Sequence, residues 1–361
     1  MERRPTIYDV ADAAGVAAST VSRAFARPGR VNAETAARIF EVARELGYRT
    51  SALPGLTRAR TRALALVVTD ITNPFYAEII RGAHEAAGEL GYTILLSHTQ
   101  EDAQLEREWT ERELSGVEGV LLTSSRMSDS AIRMMAKQKP VIVLNRALPE
   151  VPSLLVDHAR GMQRALEHLG ELGHQSLLYV AGPETSWSDG ARWRALRDAA
   201  QEHGVRARRI GPGAPPTLRS GQAVAEQVAE QARRHEATAV VAYNDVLAIG
   251  LMHGLRAIGL RVPEDLSVVG FDNTLLAQIV QPQLTTVAAP LHALGTTGVR
   301  NLVAMIRGAV PSREPRVLPV RLVVRGSTGH RRRNSTSPAR GTTKTSGSAS
   351  AAVTSTEAGS R

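Results

Sequence analysis

The chain runs to 361 residues, more than one domain uses, and carries a net charge of +9 with no cysteine, which excludes disulfides, thiol catalysis and cysteine-ligated zinc. Aromatic residues are only 4% of the total, so the core must be aliphatic and alanine-rich. No apolar run reaches membrane-spanning length and none precedes a cleavage site, so a cytoplasmic location without a membrane partner is expected.

The charge is concentrated at the two ends. Residues 1–62 hold eleven arginines against six carboxylates, and residues 326–361 hold six basic residues against Glu357 alone. The stretch between them is close to neutral. A basic head on a neutral body is the pattern of a polyanion-binding module joined to a sensor.

Residues 6–25, TIYDVADAAGVAASTVSRAF, predict two short helices around one glycine. Thr6 is placed to cap the first, and Asp9 three residues on closes a capping box. Val10, Ala11 and Ala14 share an inner face, and Gly15 stands where a tight turn needs a residue free of Cβ strain. The second helix is expected over 17–24, with Val21 and Phe25 packing on Val10 and Ala14. Its other face carries Ala18, Ser19, Ser22 and Arg23, a small, hydroxylated and basic surface that suits a DNA major groove.

Residues 27–30, R-P-G-R, form a turn whose charges either meet backbone phosphates or make a solvated basic loop. Asn32 caps a third helix over 33–46, with Ile39, Val42, Ala43 and Leu46 inward and Gly47 as its stop. Residues 51–62 are basic and contain Pro54-Gly55, both poor in a helix interior, which reads as a linker.

From residue 63 apolar runs alternate with amphipathic segments. Strands are predicted over 64–69, 92–97, 117–123, 141–144, 154–156, 176–181, 239–243 and 266–271. Helices are predicted over 73–90, where Asn73-Pro74 opens the element, and over 105–114, 129–137, 159–172, 189–202, 220–234 and 246–258. The alternation implies an α/β fold, with parallel sheets covered on both faces and room for two subdomains in tandem. Residues 329–361 are Ser, Thr, Gly, Ala and Arg with no apolar period, the composition of a disordered basic tail.

No catalytic constellation emerges. There is no G-x-S-x-G and no H-E-x-x-H, and Gly211-Pro212-Gly213 is a proline-bearing loop rather than a phosphate cradle. The histidines lack metal-ligand spacing, and His168 and His174 bracket Gly170 and Gly173 at a helix end, where capping accounts for them. No catalytic residue, metal or cofactor is expected, and the chain does not read as an enzyme.

The head resembles the DNA-reading element of lac-repressor-type (LacI/GalR) regulators, with T-I-Y-D-V-A, A-G-V and T-V-S-R in the same spacing. It departs at Ala17, where those regulators usually carry the serine that caps the recognition helix, a loss of about 1 kcal/mol. The resemblance continues through D-I-T-N-P-F at 70–75, E-L-G-H at 171–174, Y-N-D at 243–245 and V-P-E-D-L-S-V-V-G-F-D-N at 262–273. L-T-T-V at 284–287 and L-V-V-R-G-S-T at 322–328 extend it, so that it spans about residues 5–328.

The resemblance implies a helix-turn-helix headpiece over 1–50, a hinge over 51–62, and an effector-binding and dimerisation domain over 63–328 ahead of the tail 329–361. That domain would be two Rossmann-like parallel-sheet subdomains of the type I periplasmic-binding-protein kind, with a small effector between them. Partners would be a near-palindromic operator in double-stranded DNA, a second copy in a homodimer, and a sugar, polyol or nucleoside. DNA-contacting candidates are Thr6, Tyr8, Ala18, Ser19, Thr20, Ser22, Arg23, Arg30 and Leu56, the last matching a leucine wedged into the minor groove. Effector-contacting candidates are Phe75, Tyr76, Asn145, Arg146, Asp157, Arg192, Asn244 and Asp272. Arg, Asn and Asp together suit a hydroxyl-rich ligand, since hydroxyls both donate and accept. The alternative, a solute-binding protein feeding a transporter, shares the sensor fold but has no use for a basic helical head.

Overall fold

Helix α1, Ile7–Ala13, begins as its sequence dictates: Thr6 Oγ1 accepts from the amide of Asp9 at 3.4 Å and the Asp9 carboxylate accepts from the amide of Thr6. The turn that follows places Gly15 at φ +61°, a left-handed conformation that favours glycine. Helix α2, Ala18–Ala26, starts one residue later than predicted and runs two residues further. The carbonyl of Ala17 takes the first helical bonds, from Thr20 at 2.8 Å and Val21 at 3.1 Å, while its methyl side chain has no acceptor to offer. Helix α3, Ala33–Glu45, is capped by Asn32 Oδ1, which accepts from Glu34 at 2.9 Å. Val10, Ala14, Val21, Ala24, Ile39 and Ala43 form the shared core. Phe25 closes one side, with Phe40 edge-on at 5.1 Å and Tyr48 at 6.0 Å. Leu46 is not inward as predicted but 40% exposed, because the helix ends at Glu45; Ala36, one turn before Ile39, is buried instead.

The computed structural model describes residues 5–26, 31–46, 48, 61–211, 213, 215–234, 236–312 and 314–331. Arg30, Leu56, the Pro54-Gly55 linker and the tail beyond 331 lie outside the described residues.

The body is built on two six-stranded sheets. The first part of the chain supplies β1 (Ala63–Val68), α4 (Pro74–Glu89), β2 (Thr93–His98), α5 (Ala103–Glu113), β3 (Gly119–Thr123), α6 (Asp129–Ala136), β4 (Val141–Leu144) and β5 (Ser153–Val156). The second supplies α7 (His158–Glu171), β6 (Ser176–Val180), α8 (Trp187–Glu202), β7 (Arg206–Ile210), α9 (Leu218–Ala223), α10 (Ala225–Arg233), β8 (Ala239–Ala242), α11 (Asp245–Ala257), β9 (Ser267–Asp272), α12 (Leu275–Ile279) and β10 (Thr285–Ala288). Then α13 (Leu291–Ile306) and β11 (Arg316–Leu318) return to the first sheet, and β12 (Arg321–Val323) joins the second. The strand orders are β11-β5-β4-β3-β1-β2 and β12-β10-β9-β8-β6-β7. Every pairing is parallel except β10 with β12. Strand β1 is buried along its whole length. Leu64 and Leu66 face α4 and α13, and Ala65 and Val67 face the opposite layer with Ile132 and Met135, as a parallel sheet covered on both faces requires.

The subdomains are therefore not simply in tandem. The chain passes between them near 157, 290 and 320, and the first and third passages are joined where the amide of Asp157 donates to the Leu318 carbonyl at 3.0 Å. Helix α13 can return because it crosses α4 backbone to backbone. A Cβ on Gly295 would lie 2.1 Å from the Ile79 carbonyl oxygen, and one on Gly82 would lie 2.1 Å from that of His292.

Two further expectations are corrected. The helix predicted over 220–234 is two helices, α9 and α10, which meet at Val224. The break lets α9 lie against α11 while α10 turns Ala225, Val228 and Ala229 into the core; the apolar period runs through the break and conceals it. His168 and His174 do not cap. Gly173, at φ +86°, ends that helix. The rings instead hold the 328–329 segment, His168 through Thr328 at 2.9 Å and His174 through the Gly329 carbonyl at 3.0 Å.

Candidate functional site

Two surfaces collect the residues singled out in the sequence. On α2, Ser19, Ser22 and Arg23 are exposed on the side away from Val21 and Ala24. Thr20 is half-buried, and so is Ala18, which packs partly against the headpiece core. Tyr8 stands 73% exposed on α1. Thr6 is committed to its cap, the hydroxyl lying 2.6 Å from the Asp9 carboxylate. The exposed face thus offers two hydroxyls and a guanidinium in under two helical turns.

The second surface lies between the sheets, at the carboxyl ends of their strands, where ligands bind in such folds. Ser188, in the first turn of α8, donates to the Asn145 carbonyl beyond β4 at 2.9 Å and so joins the two subdomains. Arg192, one turn further along α8, is 1% exposed. Its Nε donates to His158 Nδ1 at 3.3 Å, its Nη1 to the Tyr243 carbonyl, and its Nη2 to Asp272 Oδ1 at 3.3 Å. The guanidinium also sits 3.6 Å from the ring centre of Phe271 and 5.0 Å from that of Tyr243. A buried cation is tolerated only with such partners.

Burial pushes the Asp272 carboxyl up to about 8 and that of Asp245 up to about 6; in both, loss of water outweighs the pull of Arg192. Asp245, at the start of α11, accepts from the Thr274 amide at 2.7 Å and from the hydroxyls of Thr274 and Thr286. It therefore ties α11 to β10 and to the turn beyond β9, while Asp272 is left to Arg192.

The first-subdomain wall is a chain of polar contacts. The Tyr76 phenol meets the Thr69 hydroxyl, which lies 2.8 Å from Glu101 Oε1. Glu101 in turn pairs with Arg126, whose Nε is 2.6 Å from Oε2. Desolvation raises the phenol well beyond its ordinary value, so Tyr76 stays a neutral hydroxyl. Phe75 packs edge-on to it at 4.8 Å.

The structure thus gathers Asn145, Arg192 and Asp272 around one cleft, with Phe75 and Tyr76 buried at the start of α4. The other candidates use their side chains locally. Arg146 donates to the carbonyls of Ser125 at 2.9 Å and Met127 at 2.7 Å and pairs with Asp129. Asp157 caps α7 through the Arg160 amide, and Asn244 caps α11 through that of Leu247. Trp193 stacks on Tyr179 at 5.6 Å, while Trp187 lies 5.9 Å from His158. Sequence reasoning missed Glu101, Arg126, His158 and Ser188. Glu101 and Arg126 follow strands, which is a usable signal; His158 and Ser188 sit in first helical turns and read as ordinary helix residues. Among the described residues no group of three His, Asp or Glu is placed to hold a metal ion, and no helix is long and apolar enough to cross a membrane.

Comparison with known proteins places both parts of the chain in one family. Residues 6–51 match the family of bacterial regulatory proteins, lacI family, and residues 166–328 match the periplasmic binding protein-like domain. The chain is 34% identical over 334 residues to the HTH-type transcriptional regulator DegA of Bacillus subtilis (strain 168), covering 90% of this chain and 98% of that protein. Among solved structures it is similar to the transcriptional regulator CelR–cellobiose complex, at 31% identity and TM-score 0.67, over 90% of this chain and 100% of the other. The lac repressor dimer bound to operator and the anti-inducer ONPF matches at 26% identity and TM-score 0.66, over 91% of this chain and 100% of that one. The chain belongs to the lacI family and is a DNA-binding transcriptional regulator. The transporter-linked alternative falls, because the likeness to regulators includes the helical head.

Proposed function

We propose that the protein is a repressor that reads a near-palindromic operator as a homodimer and changes its grip when a small polar effector occupies the cleft. The observation that carries this reading is the exposed Ser19–Ser22–Arg23 face on a helix held by a core of its own within a basic head. Two such helices would enter successive major grooves. Arg23 would read a guanine, Ser19, Thr20 and Ser22 would contact bases or phosphates, and Ala18 would meet a thymine methyl. Thr6, Tyr8 and Arg30 would position the headpiece, and Leu56 would act as a minor-groove wedge.

In this reading residues 1–50 are the headpiece, 51–62 the hinge, 63–328 the effector-binding and dimerisation domain, and 329–361 a basic tail. Phe75, Tyr76, Asn145, Arg146, Asp157, Arg192, Asn244 and Asp272 surround the effector. The cellobiose in the CelR complex supports a sugar or related polyol, with a nucleoside as the other candidate. The effector acts by its differential affinity for DNA-competent and incompetent arrangements of the subdomains. No chemistry is assigned to the cleft, and the protein works in the cytoplasm. A gel-shift titration on duplexes from the promoter of its own operon tests the reading. Binding should weaken steeply as salt rises; no shift at low salt overturns it.

A further inference from the structure

Among the described residues four buried side-chain polar atoms have no hydrogen-bond partner, and two of them belong to His158 and Asn145, at the junction of the subdomains. His158 is 5% exposed, and its Nδ1 faces the Nε–H of Arg192 at 3.3 Å. A guanidinium can only donate, so Nδ1 is the lone-pair nitrogen and the ring proton sits on Nε2. That Nε2 has no partner among the described residues. The Oδ1 of Asn145, 2% exposed, has none either, although its Nδ2 donates to Ser124 at 3.2 Å. Native proteins seldom leave such atoms unpaired. Burial and the adjacent Arg192 hold the imidazole far below its usual range, so it is a neutral donor.

Both atoms flank the place where the subdomains meet. The His158 ring lies 5.9 Å from half-buried Trp187, and the next residue, Ser188, donates to the Asn145 carbonyl. We propose that His158 is a specificity-determining residue of the cleft: its Nε2–H donates to an oxygen of a neutral, hydroxyl-rich ligand, which itself donates to Asn145 Oδ1. This rests on the reading of the cleft as an effector site. Hydroxyls satisfy a donor and an acceptor together. The charges of the cleft point the same way. Arg126 is paired with Glu101, Arg192 with Asp272 and Arg146 with Asp129, so a ligand phosphate would find each of these cations already matched by an acid of the protein.

The test is calorimetric titration of the full chain with cellobiose, D-ribose and D-ribose 5-phosphate, in the wild type, His158→Leu and His158→Gln. The wild type should bind a neutral sugar of this set, and D-ribose 5-phosphate at least tenfold more weakly. His158→Leu should lose at least tenfold for that sugar, while His158→Gln, whose amide restores a donor, retains most of it. In ¹⁵N-histidine spectra the Nε2–H signal of His158 should move when the sugar is added, which a packing role alone would not cause. Equal affinity in His158→Leu, a static Nε2–H signal, or tighter binding of the phosphate overturns the inference. A wild type that binds none of the three overturns the effector reading itself and this inference with it.

Discussion

Helix α2 and the cleft use the same residue type in opposite ways. Arg23 stands in solvent beside two serines, whereas Arg192 is 1% exposed with all three guanidinium nitrogens engaged and a ring beneath it. A hydrated cation asks nothing of the fold and remains available to a phosphate or a guanine edge. A dehydrated cation must be matched by the protein itself, so the fold depends on it. The first arginine should therefore be legible in binding, the second in stability.

The largest effect should come from Arg192→Ala, which leaves buried Asp272 without its partner: a loss of about 3–5 kcal/mol above pH 8, where that carboxyl is ionised, together with the response to any effector. Urea unfolding would read the first as a lower midpoint at constant slope; unchanged stability would show that the pair is not what holds this site. The acidic side of the same cluster predicts a pH dependence. Unfolded, the carboxyls of Asp245 and Asp272 ionise near 3.8; folded, burial moves them to about 6 and about 8. Between these limits the unfolded chain releases protons that the folded chain keeps, so stability from this source is full at low pH and falls as pH rises toward 8. Asp272→Asn should flatten that slope, and melting curves across the range would reveal it.

Arg23→Ala sharpens the other half of the comparison. Stability should stay within about 0.5 kcal/mol, while operator binding weakens by about 1–3 kcal/mol and discrimination relaxes at one base pair. Competition against random DNA measures this, and unchanged preference would remove Arg23 from the reading face. The smallest effect belongs to Ala17→Ser, which supplies the side-chain acceptor that α2 lacks and should stabilise the headpiece by about 1 kcal/mol, seen as a raised headpiece melting temperature.

Legibility divided along the same line. The caps of α1 and α3, the turn at Gly15, and β4 at 141–144 follow from local spacing and were read at their observed positions. The exposed face of α2 was legible because an amphipathic helix of known inner stripe leaves only one outer surface. The exposed edge strand β7, R-A-R-R-I, was missed because alternation against a core, the usual signal of a strand, is weak where most side chains face water. In the cleft, Arg192 and Asp272 stood out as charges at strand and helix ends, but the bonds of Arg146 to a loop carbonyl and of Asp157 and Asn244 to helix amides were not foreseen. Type and position alone do not tell a carboxamide aimed at a cap from one aimed at a ligand.

The amino-acid sequence alone determined the two kinds of module in this protein, a small helical head and an alternating α/β body, because helical period, capping chemistry and apolar runs act over a few neighbouring residues. Only the tertiary structure decided that the chain crosses between its subdomains three times and that Arg192 meets partners 34, 51 and 80 positions away. Those contacts arise when parallel strands bring their carboxyl ends to one edge, and no local pattern encodes which ends meet.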